Sequence, residues 1–519
     1  FSSVTAPGEY YVLDESQNVR SSVFSISDGA YATVLEQAIR MLYYQRDGTA
    51  KPAMYAGAGW ADTMEHPQDA QCVTWDTMAS PRDLLGGWFD AGDQNKYTNW
   101  GAVDVIGLLR AYRENQGAFA DDYGIPESGN GVPDVLDEAK WEIDWLLRMQ
   151  GTDGGLLSIV GHQGASPPSA DTSPCLYGPE TTSASYSGAA VFAFASVIFA
   201  PIDSTYASQL ETAAQSAWAW AQANPNVTFD NTGKVGAGDQ ELDTGYGLPM
   251  RELEAALYLF EATGEPTYRQ YFDANYTNAH MFTYGNYADM FEGEPQETLL
   301  DYTLASGATP SVVQAIQSAY KAGMQGANNV PAQQGNKDPY LAYIYTYVWG
   351  SNANRAVQGT MYYDLVSYGI DTSPSDDASK YAERYVHYFH GVNPLSLAYL
   401  SNMGDYGAQT SVTCFFHSWF THSSALWNQI GVSTYGPPPG YLPGGPNPGY
   451  ALDSCCTSTT DSCSTQAGCA STPSPPAGQP SQKSYAQFNE DWPVDSWQVT
   501  EPDDGYQTSY IRLLSKFVD

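Results

Sequence analysis

The sequence predicts an all-α fold, arranged as a solenoid or a closed ring of helices. Apolar residues recur with a helical period from about residue 28 to near residue 518. Long loops separate the helical stretches, and strands do not alternate with helices as they would in a parallel sheet. We predict twelve helices, the number that a ring of six helical hairpins would use, at residues 29–46, 99–115, 133–150, 183–200, 205–224, 248–263, 311–326, 339–349, 352–369, 377–390, 413–430 and 503–518.

The first 28 residues have a different pattern. Residues 9–13 and 19–26 alternate polar and apolar side chains and are separated by turn-forming residues, which is typical of β-strands. Two strands alone are only marginally stable. We therefore expect residues 1–28 to pack as a β appendage on a helical domain of residues 29–519.

The chain of 519 residues is strongly acidic. It has 21 Lys and Arg against 58 Asp and Glu, a formal net charge of −37. Such a field repels nucleic acids and anionic lipids, so we expect neither as a partner. No run of 18 apolar residues occurs, and the longest apolar stretch, near residues 189–200, has the length of a core helix. Neutral or cationic ligands suit this charge, and a monomer is the expected state.

Four of the seven cysteines lie close together in a loop rich in Ser, Thr and Pro: Cys455, Cys456, Cys463 and Cys469. Such a cluster is typical of local disulfides in an exported protein, and we predict two disulfides here without assigning their pairing. A zinc site is the alternative, but the cluster has no His nearby. The expected location is therefore secreted, either extracellular or periplasmic.

One loop combines features that core packing does not require. Residues 86–97, GGWFDAGDQNKY, place Asp90 and Asp93 among three glycines and three large aromatic side chains. Glycine permits tight and left-handed turns at little steric cost, so something other than core packing determines the shape of this loop. The alternative is an ordinary surface turn, since Asp and Gly are common turn residues.

The loop resembles the GGWxDAGDxxKY signature of glycoside hydrolase family 9, the cellulases with an (α/α)6 barrel. Further matching blocks follow in the family's order along residues 8–519. The resemblance implies a barrel of six helical hairpins. It also implies that residues 1–28 are the end of an immunoglobulin-like module, which precedes the barrel in one subgroup. By the same resemblance, Asp93 is the catalytic base and Asp90 is a companion that helps to hold the attacking water.

The general acid is assigned by resemblance to Glu501, in the segment WQVTEPDDGYQ of residues 497–507. Tyr506 in the same segment matches a tyrosine that contacts glucose. The segment also has the features of a helix start, with Thr500 as the cap residue and Pro502 early in the first turn. The two interpretations are compatible.

Other blocks imply contacts to sugar. YVWGSN at residues 347–352 matches a stretch in which the Trp, here Trp349, stacks on a sugar ring. In FFHSWF at residues 415–420, His417 matches a substrate-binding histidine, although a lone His beside aromatic residues is often structural. Trp419 stands where many relatives carry an Arg. The remaining predicted sugar contacts are Trp88, Tyr97 and His162.

The resemblance raises the question of metals, because relatives often hold zinc with two Cys and two His before the catalytic loop. Here Asp47 replaces the first Cys, and Cys72 is followed by Val73 instead of His. One Cys does not complete a tetrahedral site, so we predict no zinc. Structural calcium is common in relatives, and the acids at residues 239–243 have a suitable spacing, although solvated acids are frequent in so acidic a chain. The chemistry itself needs no cofactor.

These features lead to the hypothesis of an inverting glycoside hydrolase that cleaves β-1,4-glucosidic bonds in cellulose or related β-glucans. Whether it acts as an endoglucanase or a cellobiohydrolase is left open. Two alternatives are an exo-β-D-glucosaminidase on chitosan oligosaccharides, an activity of some relatives, and a non-catalytic polysaccharide-binding barrel. The joint presence of Asp90, Asp93 and Glu501 argues against the binding barrel.

Overall fold

The fold is a ring of helical hairpins. A computed structural model of the chain describes residues 4–21, 23–27, 29–236, 245–370, 377–458 and 462–518. The helices of ten or more residues within these ranges are α1 (Ala32–Gln45), α2 (Thr98–Glu114), α3 (Asp134–Met149), α4 (Thr182–Phe199), α5 (Ser204–Ala223), α6 (Gly247–Thr263), α7 (Pro266–Asn275), α8 (Gly293–Tyr302), α9 (Pro310–Gly323), α10 (Ser351–Ser367), α11 (Asp377–Phe389) and α12 (Asp504–Ser515).

The even-numbered helices form the inner ring. Helix α2 packs on α4, α4 on α6, α6 on α8, α10 on α12, and α12 on α2. Gly293 at the start of α8 lies against Val357 of α10, where a Cβ on the glycine would be 3.0 Å from the valine side chain. The odd-numbered helices pack outside this ring, for example α5 against α4 and α11 against α10. The predicted ring of six helical hairpins is confirmed.

Helix α4 is the most deeply buried of the inner helices. Seventeen of its 18 residues are buried, as expected of a helix that is surrounded by others. It begins after Thr181, whose side-chain oxygen accepts a hydrogen bond from the Ala184 N–H. Within the described ranges, α4 is also the one helix long and apolar enough to cross a membrane, but 94% of that stretch is buried inside the protein. Its composition is therefore explained by its place in the ring.

Buried ion pairs connect neighbouring inner helices. Arg110 on α2 is 2% exposed and contacts Glu254 on α6 at 3.2 Å. The same guanidinium contacts Glu297 at 3.2 Å and Asp301 at 2.8 Å, both on α8. Charges are stable in such a position only when they are paired and hydrogen-bonded. The polar core of the barrel therefore links the helices that surround its axis.

Two of the predicted helices are wrong. Residues 339–349 are extended and turn-like: Ala342 and Ile344 are buried, whereas Tyr345 is 39% exposed. That alternation has the period of an extended chain, not of a helix. Residues 413–430 form an irregular segment that is mostly buried and aromatic up to Phe420 and mostly exposed from Thr421 to Leu426. A short apolar run such as its first half does not distinguish irregular buried chain from a helix.

The sequence interpretation also missed α7 and α8. Helix α7 buries Tyr268 and Phe272 alone, so its apolar stripe is too narrow to give a clear helical period. Helix α8 places polar and charged residues on its buried face, including Gln296 and Glu297. These two helices take the places of the two wrongly predicted ones in the ring of twelve.

The N-terminal residues form two short antiparallel strand pairs. Strand β1 (Gly8–Tyr10) pairs with β4 (Phe24–Ile26), and β2 (Leu13–Asp14) pairs with β3 (Val19–Arg20). Nearly all of their residues are exposed. The strands agree with the predicted β appendage, while the proposed domain boundary after residue 28 stays a prediction.

A small four-stranded sheet lies next to the loop of residues 86–97. Its order is β5 (Val73–Thr74), β8 (Leu176–Tyr177), β7 (Ile159–Gly161) and β6 (Lys96–Tyr97). The antiparallel register of β6 and β7 places Lys96 opposite Val160. The sheet therefore holds the C-terminal end of the loop against residues 159–162.

The buried ion pairs predict a large loss of stability when one partner is removed. We expect Arg110→Met to lower the free energy of unfolding by about 3–5 kcal/mol, because Glu254, Glu297 and Asp301 lose their shared buried cation. Each of them keeps one other arginine contact, to Arg251, Arg512 and Arg113 respectively. Urea unfolding followed by circular dichroism measures this change. Lys140→Met is the matched control, because Lys140 pairs with Asp144 on the surface, with side chains 40% and 45% exposed. We expect a change of at most about 1 kcal/mol there, and equal effects of the two variants would contradict the argument.

Candidate active site

The loop of residues 86–97 is tightly folded and anchored at both ends. Gly86 and Gly87 have φ angles of +101° and +83°, the left-handed region that glycine adopts without strain. The Asp47 N–H donates to the Gly87 carbonyl at 2.8 Å. Further along, the Asp90 N–H donates to the Asn95 carbonyl at 3.0 Å, which closes a turn around Asp93.

Asp93 is half-buried at the tip of this turn. Its carboxylate accepts hydrogen bonds from the Asn95 N–H at 3.2 Å, from the Asn95 side-chain amide at 2.7 Å and from the Tyr97 hydroxyl at 3.4 Å. Burial raises the pKa of Asp93, and the Asn95 and Tyr97 donors oppose that change because they stabilise the charged form. The carboxylate thus has an environment suited to a proton acceptor.

Glu501 lies beside the loop that carries Asp93. It follows a short helix, Trp497–Thr500, and its carboxyl oxygen Oε1 accepts a hydrogen bond from the Gly92 N–H at 3.2 Å. A Cβ on Gly92 would be 3.0 Å from that oxygen and 2.9 Å from the Phe416 carbonyl, so no larger residue fits. Burial, followed by the charges of Asp93 and Asp503, raises the pKa of Glu501 well above its ordinary value. These surroundings favour the protonated form of Glu501.

Asp90 and Asp503 add negative charge around this pair. Asp90 is 7% exposed, and burial together with Asp503 and Asp93 raises its pKa well above the ordinary value. Burial raises the pKa of Asp503 to about 7. Carboxyl groups this close do not all ionise together. Asp93, which has the most hydrogen-bond donors, is the member of the group best suited to carry the charge.

Backbone hydrogen bonds hold the acid segment in place. The Gly444 N–H donates to the Glu501 carbonyl at 2.8 Å, and the Phe416 N–H donates to the Thr500 carbonyl at 3.3 Å. The Asp504 N–H donates to the Asp90 carbonyl at 2.9 Å, which ties the start of α12 to the loop of the base. Three loops distant in sequence therefore converge on the two carboxyl groups.

A pocket of about 500 Å³ opens beside these groups within the inner ring. Asp503 and Tyr506 form part of its wall, next to Trp100, Tyr246 and Phe291. Carboxyl and aromatic side chains in one concave surface are suited to a sugar ring, which has both hydroxyl groups and an apolar face.

One of the predicted sugar contacts, Tyr506, lies in the wall of this pocket, and a second, Trp349, lies beside Tyr506. Tyr506 is half-buried in the pocket wall. Trp349 is 47% exposed, and the adjacent Gly350 touches Tyr506, since a Cβ on the glycine would be 2.9 Å from the tyrosine oxygen. The structure therefore brings Tyr506 and Trp349 together with the two carboxyl groups.

Five predicted contacts are buried instead. His417 is 1% exposed; its Nε2 bonds Gln45 Oε1 at 2.8 Å, and its Nδ1 accepts the Trp419 N–H at 3.0 Å. Burial lowers the pKa of His417 to about 3, so it is neutral. These contacts indicate a packing role. The other four are similarly enclosed: Trp419 (1% exposed), Trp88 (2%), Tyr97 (5%) and His162 (9%).

The region in which relatives hold zinc contains a cluster of buried charges. Lys96 is fully buried, and its ammonium donates to Asp47 and to Asp69. His66 bonds Asp47 at 2.8 Å and stacks on His162 with ring centres 4.0 Å apart. The neighbouring carboxylates raise the pKa of His66 to about 10, although burial opposes this. Ligand atoms of Asp47, His66 and His162 lie within 4.8 Å of one another, but the Lys96 ammonium already binds Asp47 and would repel a cation, so this cluster does not fit zinc.

The structure pairs the clustered cysteines as Cys455–Cys463 and Cys456–Cys469. A third disulfide joins Cys72 to Cys175, two of the residues that the sequence left without partners. It lies just before β5 and β8, so it fastens the small sheet beside the catalytic loop. No pattern in the sequence predicted this pairing, because the two cysteines are 103 residues apart.

Sequence reasoning also missed side chains that shape the site. Gln45 is fully buried at the end of α1 and donates to the carbonyls of Phe89 and Ala91 at 2.9 and 3.1 Å. Asn95 contacts both oxygens of Asp93. Asn95 lies inside the recognised motif, so the sequence could have indicated it as a site residue. Nothing in the sequence singles out Gln45.

Comparison with known proteins agrees with this geometry. The model of the family described as glycosyl hydrolase family 9 matches residues 31–514. Endoglucanase C of Cellulomonas fimi is 30% identical over 488 residues, covering 86% of this chain and 41% of the relative. Endoglucanase D of Acetivibrio thermocellus is 27% identical over 462 residues, covering 86% of this chain and 69% of the relative.

Solved structures show the same architecture. A metagenome-derived glycoside hydrolase family 9 endoglucanase has a TM-score of 0.79 and 25% identity, covering 100% of this chain and 86% of the other. A thermostable endoglucanase from Alicyclobacillus acidocaldarius has a TM-score of 0.78 and 22% identity, covering 100% and 89%. The family model covers nearly the whole barrel, so this chain belongs to glycosyl hydrolase family 9.

Proposed function

We propose that this chain hydrolyses β-1,4-glucosidic bonds in cellulose or a related β-glucan, with inversion at the anomeric carbon. The observation that carries the proposal is the convergence of Asp93 and Glu501 at Gly92, whose N–H donates to Glu501 while Asp93 follows it in the loop. Hydrogen-bond donors favour the charged form of Asp93, whereas burial and the charge of Asp93 raise the pKa of Glu501. Several similar proteins are named as endoglucanases, and one is named as a cellulose 1,4-beta-cellobiosidase. One similar structure, 22% identical, contains a cellobiose-like isofagomine.

In the proposed reaction, Asp93 removes a proton from water as the water attacks the anomeric carbon. Glu501 donates its proton to the departing glycosidic oxygen. Asp90, kept neutral by its buried position among other carboxyl groups, has a proton with which to hold the water. The cycle closes when Asp93 loses the proton that it gained and Glu501 is reprotonated. No cofactor takes part in these steps.

Sugar binding is assigned to the pocket beside the carboxyl groups. Tyr506 and the exposed ring of Trp349 supply flat surfaces next to Glu501. Carbon–hydrogen faces of glucose stack on such rings, while the polar groups of the pocket bind hydroxyls. We propose a secreted, monomeric enzyme; the three disulfides support a location outside the reducing cytosol.

The acid assignment predicts a severe loss of activity in Glu501→Gln. We expect kcat on cellopentaose to fall by about 10²–10⁴-fold, because the amide cannot donate a proton in the same way. Proton NMR of wild-type products must show the α-anomer first. Glu490→Gln is the matched control, an exposed acid eleven positions earlier that should leave kcat unchanged. Initial β-anomer, or full activity in Glu501→Gln, would overturn the proposal.

An exo-β-D-glucosaminidase on chitosan oligosaccharides is the second candidate. The observation in its favour is Asp503, a half-buried acid in the pocket wall that has no cationic partner among the described ion pairs. A carboxylate at that position is able to bind the amino group of glucosamine. Release of single glucosamine units from a chitosan pentamer, with cellopentaose left intact, would select this activity over the glucanase.

The charge of Asp503 predicts a change in the pH dependence of kcat. Asp503 and Asp93 are the acids that raise the pKa of Glu501. In Asp503→Asn the pKa of Glu501 falls, so the acid loses its proton at lower pH and the basic limb of the kcat profile moves to lower pH. Asn is also a good helix N-cap, so α12 keeps its cap. A basic limb that stays in place would show that Asp503 does not act on Glu501.

We also propose a structural calcium ion at the start of α3. The acids expected from the sequence, at residues 239–243, lie outside the described residues. Oxygens of Asp121, Asp134 and Asp137 lie within 4.8 Å of one another. Asp134 is fully buried, and its Oδ1 has no hydrogen-bond partner. Calcium prefers carboxylate oxygens, and a buried carboxylate without a partner is costly.

This proposal predicts that calcium raises the melting temperature. At about 100 times the Kd the gain in stability is about 2.7 kcal/mol. EDTA should reverse the shift, and Asp137→Asn should abolish it. Asp144→Asn is the control, a partly exposed acid in the same helix that should leave the calcium response intact. Wild-type protein with no shift between EDTA and calcium would exclude the ion.

A further inference from the structure

Asn95 donates a hydrogen bond to each carboxylate oxygen of Asp93. Its backbone N–H is 3.2 Å from Oδ1, and its side-chain amide nitrogen is 2.7 Å from Oδ2. Asn95 itself is 2% exposed, so these bonds are shielded from water. Two donors from one residue fix the rotation of the carboxylate plane as well as its position.

The amide of Asn95 is oriented in turn by a different part of the chain. The His162 N–H donates to Asn95 Oδ1 at 2.9 Å, so the carbonyl end of the amide faces His162 and the NH₂ end faces Asp93. Gly236 packs against the same amide, and a Cβ there would be 3.1 Å from Asn95 Cγ. The side chain therefore has one orientation that satisfies its donors and its acceptor together.

The buried charges described above stabilise this orientation. The ring of His162 bonds Asp69 at 3.2 Å, and Asp69 accepts from Lys96 at 2.8 Å. Lys96 follows Asn95 in sequence and also donates to the Gly86 carbonyl at 2.8 Å, at the other end of the loop. Hydrogen bonds thus connect Asn95 to His162, His162 to Asp69, and Asp69 to Lys96. Lys96 then bonds the loop at Gly86.

We propose that Asn95 is a positioning residue that holds the general base, Asp93, in place. The backbone N–H of His162 orients the Asn95 amide for this role. The proposal rests on the proposed hydrolytic function. It assigns a role to His162 that differs from the sugar contact predicted from the sequence. The contribution of His162 is made by its main chain, while its imidazole belongs to the charge cluster behind the loop.

The surroundings of Asp93 make this role measurable. The acids whose pKa Asp93 raises are Asp90, Asp503 and Glu501. The donors to it are Asn95 and Tyr97, with the His162 ring further away. Asn95 provides the two shortest bonds and stabilises the charged form of Asp93. Loss of the Asn95 donors must therefore raise the pKa of Asp93, because burial and several other acids nearby already disfavour its charged form.

The test compares Asn95→Ala and Asn95→Asp with wild type on cellopentaose. We expect kcat to fall by up to about 100-fold through misplacement of the base, with KM nearly unchanged. The acidic limb of the kcat/KM profile should move to higher pH in both variants. The movement should be larger in Asn95→Asp, which replaces the amide donor by a further carboxylate of equal size.

Gln94→Ala is the matched control. Gln94 precedes Asn95, and its side chain bonds the main chain of Ala165 twice at 3.1 Å without contacting Asp93. Its loss should lower the melting temperature to a similar extent and leave the acidic limb in place. A structural role alone would make Gln94→Ala and Asn95→Ala indistinguishable in the pH profile, which would overturn the proposal.

A second measurement does not depend on the substrate. Titration of ¹³C-labelled aspartate in the free enzyme by NMR follows Asp93, identified by the signal lost in Asp93→Asn. We expect the pKa of Asp93 to be higher in Asn95→Ala than in wild type. An unchanged pKa refutes the positioning role. A raised pKa in a protein that cuts neither cellopentaose nor chitosan pentamer leaves the role standing and refutes the proposed function instead.

Discussion

The hydrogen bond from Gly92 to Glu501 joins the loop of Asp93 to the segment of Glu501. Its partners are 409 residues apart in the sequence. A side chain at position 92 would collide with the acid and with the Phe416 carbonyl, so the contact depends on the absence of a Cβ. The distance between base and acid is what selects inversion or retention in this chemistry. That distance follows from how closely these two loops approach each other.

The packing of the inner helices brings these two loops together. Helix α12 packs between α2 and α10, so the end of the chain closes the inner ring next to its beginning. The loop that carries Asp90 and Asp93 continues through the strand at Lys96 into α2, and Glu501 is followed by α12. Closure of the ring therefore brings the loop of Asp93 and the segment of Glu501 together. Buried ion pairs among α2, α6 and α8 hold the same ring from within.

Much of this arrangement was predictable, for reasons that particular residues make clear. The loop around Asp93 and the segment around Glu501 are local strings, so they are recognisable without knowing what lies beside them. Ten of the predicted helices had a regular apolar stripe and were located to within a few residues. The family and the ring of hairpins are confirmed, while the catalytic roles of Asp93 and Glu501 stay predictions.

What was missed depends on contacts between distant segments. Whether His417 faces substrate or core is decided by Gln45, which lies 372 residues away. The same holds for the pairing of Cys72 with Cys175 and for the bond from His162 to Asn95. Helices α7 and α8 escaped notice because one has too few buried residues and the other buries polar ones. Local patterns do not contain that information.

The position of Glu501 near the last helix of the ring has a consequence for synthesis. Glu501 is made long after Asp93, and the inner ring closes only when α12 follows it. Contacts between such distant residues form slowly during folding, because a long loop must first be closed. A nascent or truncated chain that carries Asp93 but ends before Glu501 lacks one of the two carboxyl groups and helix α12. The order of synthesis thus delays assembly of the candidate site until the barrel is whole.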